Sequence, residues 1–319
     1  MTRSTLIRLL AVLACWVLLV TFPQWSAEWA SSRFAAGIIR QILIFAIFAS
    51  SLNVLVGQVG LPSLGHAAFF GGGAYAAAIA AQRLGTDELA VSLGAAILGS
   101  AVLALVIGFL AVRAVGIFFL MLTLALAQMV FAIAYQATDI TGGSNGFSGV
   151  HRPTIFGADF SAAGDLYVLT SVVFLLVMLV LWRVTTSRYG QALIGVRENE
   201  RRMRALGYDT RTLKLSAFTF AGALAGVAGA LAAYEYRFVS PNDVALSTSV
   251  TGFVMVLVGG AGTLVGPLVG AAVVLLIERV LPSQLPIQML LGIVFIFFVV
   301  FARQGIVGAV RAVAGRVRA

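Results

Sequence analysis

Thr185-Thr186-Ser187-Arg188-Tyr189-Gly190-Gln191-Ala192-Leu193-Ile194-Gly195-Val196-Arg197-Glu198-Asn199-Glu200-Arg201-Arg202-Met203-Arg204-Ala205-Leu206-Gly207-Tyr208-Asp209-Thr210-Arg211-Thr212-Leu213 is the only long polar stretch of this chain. Its charge is lopsided. Across the stretch and its borders, Arg183, Arg188, Arg197, Arg201, Arg202, Arg204, Arg211 and Lys214 face only Glu198, Glu200 and Asp209. On either side the sequence runs in long apolar segments of membrane-spanning type. Basic residues are retained on the cytosolic side of a bilayer, so the stretch reads as a cytosolic hinge between two lipid-embedded halves.

Composition supports that reading. The 319 residues are 61 % hydrophobic and 10 % charged, with a mean hydropathy of +1.03. A soluble domain carries about 25 % charge, so this chain could not cover a water-facing surface. Glycine, at 34 residues, is abundant where membrane helices approach backbone to backbone. Cys15 is the one cysteine, which excludes an intrachain disulfide. Arg3 and Arg8 precede an apolar run over residues 6–22 that looks like a signal peptide. The run is longer than a usual signal core and reads as a retained first span.

Crossing the hydrocarbon takes about 17–25 apolar residues. Residues 6–22, 39–56, 63–81, 89–112, 115–135, 166–182, 213–234 and 287–301 qualify or come close. The stretch 246–280 is interrupted by Gly259-Gly260-Ala261-Gly262-Thr263 and by Gly266-Pro267, so it suits one tilted helix or two short passes. Parity favours two, because a single pass would strand Arg303, Arg311, Arg316 and Arg318 outside. The expected fold is therefore all-α and polytopic, with about ten transmembrane helices and both termini cytosolic. The chain is a single transmembrane unit, 1–319: six spans over 6–184, the cytosolic loop 185–212, the last spans over 213–302 and a basic cytosolic tail, 303–319.

That topology places Arg3, Arg8, Arg113, the central basic residues and the tail arginines inside, against Glu198, Glu200 and Asp209. Outside it leaves Arg33, Arg40, Arg83, Arg152, Arg237 and Arg279 among the remaining acids. The net charge of +9 is thus accounted for by orientation, with no call for nucleic acid.

Polar residues at membrane depth gather in Leu52–Tyr75, where Asn53, Gln58, Ser63 and His66 stand beside glycines and Pro62. Irregular backbone at that depth is tolerated when it is buried in protein or lines a water-filled cavity. The segment reads as a broken helix beside a translocation path, or as a turn followed by a small-residue packing face, with His66 bonded to a nearby carbonyl. Gly222, Gly226 and Gly229 form one small-residue ladder, and Gly262, Gly266 and Gly270 another, both suited to close helix packing. The segment Thr138–Gly164 falls outside, and its turn-forming start, Thr138–Phe147, is either a contact for a delivery protein or a solvated connector. Within the central loop, Asn199 is a candidate N-cap and Gly207 a stop signal. Met203 and Leu206 share a face, which suits a short helix inserting into a partner's groove. A solvated basic loop drawn to anionic lipid fits the same residues.

No catalytic constellation stands out. The chain lacks a phosphate-binding glycine loop, and His66 and His151, its two histidines, offer no metal spacing. Neither a cofactor nor a metal is expected, and any energy from ATP must come through another subunit.

Several segments together resemble the longer of the two paired permeases of branched-chain amino acid ABC importers. They are Leu61–Tyr75, Ser187–Leu193, Arg197–Glu200, Ala205–Gly207 and Gly259–Pro267. The resemblance covers most of the chain beyond the first span. It implies a second homologous permease subunit, two cytosolic ABC ATPases, a periplasmic or external solute-binding protein and a bacterial inner-membrane location. It also implies that Arg197, Glu198, Asn199, Glu200, Met203, Ala205, Leu206 and Gly207 belong to the coupling helix gripped by the ATPases. Asn53, Gln58, Ser63 and His66 are then expected to line the substrate pathway. The closing Phe301-Ala302-Arg303-Gln304-Gly305 lacks the proline usual in the family before Arg-Gly. Relatives of this kind also carry urea or short amides, which is the alternative solute class. An ion-coupled carrier or a membrane scaffold is the more distant rival.

Overall fold

The computed structural model describes residues 32–155, 158–159, 163–280, 292–293, 296 and 305–309. The expected span 6–22 lies outside the described residues, as do most of span 287–301 and of the tail 303–319.

Helices dominate. In chain order they are α1 (Ser32–Asn53), continued by a π-helical stretch Val54–Val59, then α2 (Ala67–Leu84), α3 (Leu89–Ala111) and α4 (Ile117–Gln136). There follow α5 (Ala163–Thr186), α6 (Arg188–Ala205), α7 (Thr210–Tyr236), α8 (Leu246–Gly259) and α9 (Gly266–Val280). Ala36–Val59, Leu89–Ala111, Ile117–Gln136, Gly164–Thr186 and Thr210–Tyr236 are long and apolar enough to cross a membrane. The expected span 63–81 begins only at Ala67, because Gly60 takes a left-handed conformation, φ 77°, and Pro62 follows it.

The centre of the molecule is α7. Its small residues let α2 and α3 pack at backbone distance. A Cβ on Gly222 would strike Ala104, one on Gly226 would strike Ser100 and the backbone of Ala96, and one on Gly229 would enter the Phe70 carbonyl. Gly73 of α2 meets Gly226 directly. Aromatic rings fill what remains: Phe218 stands edge-on to both Phe69 and Phe119, and Phe48 packs on Phe70. By contrast α3 and α4 leave much of their apolar surface exposed, including Leu98, Val102, Phe118, Met121 and Met129. In water such a surface would collapse or aggregate; against lipid tails it costs nothing.

The stretch 246–280 folds as two helices, not one. Gly260 and Gly262 adopt φ 113° and 80°, and Pro267, which has no N–H to give, sits in the first turn of α9. Gly266 and Gly270 face Gly259 and Met255 across this hairpin, too close for any side chain. Gly262 does not belong to that ladder. It lies in the turn before α9 begins, so the four-residue spacing does not extend to a common helix face.

Contacts sort the chain into two ends. At one, β1 (Phe147–Ser148) pairs antiparallel with β4 (Phe238–Val239), β2 (Thr154–Ile155) pairs with β3 (Ala158–Asp159), and Thr154 bridges Glu88. These short strands are small exceptions to an all-helical chain. At the other end, α6 meets the π-helical stretch and the turn between α8 and α9.

Candidate functional site

Three irregular segments meet at that second end: the break after α1, the hairpin turn and the polar loop. Asn53 joins the first two. Its Oδ1 accepts the N–H of Gly262 at 2.8 Å, and its Nδ2 donates to the carbonyl of Thr263 at 2.9 Å. One carboxamide therefore serves both a donor and an acceptor that a helical turn would otherwise satisfy. Gly57 lies against Gly262 with no room for a Cβ.

Arg197 ties in the third segment. Its Nη1 donates to the carbonyl of Gly57, and its Cγ lies where a side chain on Gly60 would have to go. A guanidinium from the polar loop thus holds the last turn of the π-helical stretch, whose carbonyl lost its helical partner where the helix breaks.

A cavity of about 280 Å³ opens beside this junction. Ser50, Asn53, Gln58, Thr185, Thr186 and Thr263 supply its polar wall. Val54, Leu181, Trp182, Ile194 and Leu264 supply its apolar wall. Among the described residues, no ionisable side chain lines it. Gln58 is only 8 % exposed, and its Oε1 meets no hydrogen-bond partner among the described residues.

Of the four residues expected along a pathway, Asn53 and Gln58 come together here. Ser63 and His66 do not. Both are fully buried in packed protein. Ser63 Oγ accepts the Gly65 N–H at 3.3 Å. His66 stacks on Phe48 at 5.5 Å, and its Nε2 lies 2.8 Å from Ser51 Oγ. Since Ser51 donates its own hydrogen to the Phe48 carbonyl at 2.7 Å, the His66 Nε2 carries the proton in that contact. Its partner is thus a hydroxyl, where the packing-face alternative had a carbonyl.

The polar loop is helical and kinked. Ser187 caps α6, its Oγ accepting the Gly190 N–H at 3.3 Å. At Asn199 the backbone leaves helical geometry, φ −157° and ψ 92°, and the Asn199 side chain accepts the Arg202 N–H at 2.9 Å. A second short helix thus starts at Glu200, capped as its sequence suggests. It ends with Gly207 at φ 87°. The Tyr208 N–H reaches the Met203 carbonyl and the Gly207 N–H reaches that of Arg204, the paired bonds of a Schellman stop.

Glu200 anchors this short helix to α7. Lys214 Nζ and Arg204 Nη2 each approach its carboxylate at 2.7 Å, and the Thr210 hydroxyl donates to it at 3.1 Å. Burial alone would raise the Glu200 carboxyl, but Lys214, Arg204 and Thr210 outweigh it and hold it below the usual carboxylate range. Met203 and Leu206 differ in their surroundings. Met203 folds back onto Gly195, while Leu206 is 67 % exposed and is joined at the tip by Tyr208, 49 % exposed. Ala205 is exposed on the same short helix, and Glu198 is exposed just before the kink.

Tyr208, Lys214, Trp182 and Ile194 were not singled out as site residues from the sequence. Tyr208 and Lys214 carried a local signal, an aromatic after a glycine stop and the single lysine of the chain. Trp182 and Ile194 join the cavity only through tertiary packing and carried none.

Residues 34–302 match the family described as branched-chain amino acid transport system / permease component. The chain is 29 % identical, over 97 % of its length and 77 % of the relative's, to the high-affinity branched-chain amino acid transport system permease protein LivM of Escherichia coli (strain K12). The protein of the same name from Salmonella typhimurium gives the same identity and coverage. A shorter similarity, 30 % over 34 % of this chain and 32 % of the relative, links it to the autoinducer 2 import system permease protein LsrC of Yersinia pestis (strain Pestoides F). No solved structure matches the chain.

Proposed function

The chain belongs to the family of branched-chain amino acid transport system permease components, and on that premise we propose how it works within an ATP-driven importer. It forms half of the translocation path for hydrophobic amino acids in a bacterial inner membrane. A second homologous permease completes the path, an external solute-binding protein delivers the solute, and two cytosolic ATPases supply the energy. The chain crosses the bilayer about ten times with both termini in the cytosol. Its units are those drawn from the sequence: spans over 6–184, the coupling loop 185–212, spans over 213–302 and the tail 303–319.

The observation that carries this reading is the single chain of contacts from loop to membrane interior. Leu206 and Tyr208 project from the kinked loop helix, as a groove in a partner requires. Glu200 fixes that helix to α7 through Lys214. Arg197 then reaches the Gly57 carbonyl, and Asn53 holds the hairpin turn at Gly262 and Thr263. Movement imposed on the loop by the ATPases is therefore delivered to the break after α1 and to the α8–α9 hairpin, which together border the cavity. The pathway follows Asn53 and Gln58, while Ser63 and His66 brace α2 against α1 behind it.

An ion-coupled carrier would keep a free carboxylate at membrane depth. Glu235 is instead held by both oxygens on Arg40, at 2.6 and 2.9 Å.

Uptake of labelled leucine by the assembled transporter tests the reading, with Leu206→Asp as the informative variant. The substitution leaves the permease inserted and folded, because Leu206 packs on little of its own chain. ATPase copurification and leucine uptake fall together. Normal uptake with Leu206→Asp removes the loop from the coupling role, and ATPase-independent uptake by the parent chain removes the ABC reading.

A further inference from the structure

The loop end carries an arrangement that transport of a solute does not use. Phe109, near the end of α3, is half exposed, and two guanidinium groups stand over its ring. Arg113 lies 4.8 Å from the ring centre and Arg211 lies 5.6 Å from it. They come from different elements, Arg113 from the turn after α3 and Arg211 from the first turn of α7. The two helices run close here, since a Cβ on Gly108 would strike Phe218 and Leu215 of α7.

An aromatic face attracts a cation, yet two like charges gathered at one ring repel each other. Among the described residues, no carboxylate forms an ion pair with either guanidinium. Asp209 is the acid beside Arg211, and it is occupied as the cap of α7. Its Oδ1 accepts the N–H groups of Arg211 and Thr212, at 3.1 and 3.2 Å, and its Oδ2 accepts the Thr212 hydroxyl. Both arginines are exposed, so the pair is open to an anion from outside the chain.

The surface that leads up to the arginines selects which anion. Leu98, Val102, Val106 and Phe109 recur every three or four residues along α3, and Arg113 continues that line. Each of the four apolar side chains is 50–68 % exposed. From Leu98 to Phe109 the strip is about 16 Å long at the helical rise, roughly half the thickness of a hydrocarbon core. A free phosphate gains nothing from such a strip, whereas one acyl chain of a single leaflet matches it.

We propose that Arg113 and Arg211 bind the phosphate of an anionic phospholipid whose acyl chain lies along the Leu98–Phe109 strip of α3. Guanidinium forks suit phosphate oxygens, and basic pockets between membrane helices take anionic head groups. Thr210, next to Arg211, donates to Glu200 at 3.1 Å, so the head group sits beside the anchor of the loop helix. The proposal does not depend on the import reading.

The test is photolabelling by phosphatidylglycerol with a photoreactive acyl chain, titrated into phosphatidylcholine vesicles that carry the complete permease–ATPase assembly. The parent is expected to be labelled between Leu98 and Phe109 at a lower probe fraction than a matching phosphatidylcholine probe requires. Arg113→Gln with Arg211→Gln is expected to raise the required fraction about ten-fold or more, the effect of losing two charges near a phosphate. Arg113→Lys with Arg211→Lys is expected to keep most of the preference, and so controls for misfolding. Arg188→Gln with Arg201→Gln removes the same charge from other parts of this end and is expected to leave the labelling in place. Equal labelling by the two probes, or no change in the Arg113 and Arg211 glutamine pair, overturns the site. So does an equal loss in the lysine pair or in the Arg188 and Arg201 pair. Displacement of the probe by inorganic phosphate alone overturns the lipid as occupant. ATP-driven leucine uptake, measured in the same vesicles with the solute-binding protein present, reports on the import reading separately.

Discussion

Asn53 shows how far one side chain can decide a membrane fold. The hairpin turn needs a donor for the Thr263 carbonyl and an acceptor for the Gly262 N–H, and the Asn53 carboxamide supplies both. Leucine at this position has similar bulk and neither function. Asn53→Leu is expected to destabilise the chain by about 1–3 kcal/mol, the penalty for two half-buried backbone groups left unpaired. Thermal unfolding in detergent measures the loss, and faster amide exchange over 260–265 places it. An unchanged melting point would show that water replaces the carboxamide and that the turn holds itself. From the sequence, Asn53 was legible as a polar residue out of place in an apolar span, and so was Gln58. Their different fates were not. What separates the clamp from the free acceptor is a contact between residues 209 and 210 positions apart, and no local pattern encodes it. His66, a histidine among glycines, suggested chemistry from the sequence, and the structure packs it against Ser51 and Phe48 in the core.

Among the elements, the loop helix was the most legible. Its start at Asn199 and stop at Gly207 follow from side-chain and backbone rules that act within a few residues. The orientation of Met203 was not legible, because the kink at Asn199 turns the short helix back so that Met203 meets Gly195. The small-residue faces on α7 were plain from spacing, yet the same rule failed at Gly262, where the helix had not begun. Glu200 gives this element a pH dependence of definite sign. Its carboxyl is lower in the folded chain than the ordinary value of 4.5, so its contribution to docking is complete above that value. It is lost as pH falls through the folded pKa. Amide exchange over 200–207, followed from neutral pH downward and corrected for intrinsic rates, is expected to rise only below the ordinary carboxylate range. Glu200→Gln is expected to show raised exchange at neutral pH and no further transition. A transition near pH 6 in the parent chain would assign the loop's anchor to some other group.

On the scale of the whole molecule, the two ends are held by different means. The loop end is a set of backbone carbonyls and N–H groups met by Arg197 and Asn53. The opposite end carries an ion pair, Arg40 with Glu235, whose side chains are 9 % and 8 % exposed. Arg40 lies within the apolar stretch Ala36–Val59, so both charges are taken out of water and their Coulomb attraction has little solvent to screen it. The same desolvation makes the pair a poor source of net stability and a costly thing to break. It joins the first described span to the far end of α7, across 195 residues. Glu235→Leu alone leaves a buried guanidinium without this partner and is expected to cost about 3–5 kcal/mol, whereas Arg40→Leu with Glu235→Leu is expected to recover most of the loss. Melting of the three variants in detergent, set beside leucine uptake, separates two roles for the pair. If the double variant regains stability and transports at the parent rate, the ion pair is structural ballast. If it regains stability and transports slowly, the pair is the fixed end against which the loop end works, and the arrangement drawn from the contacts stands.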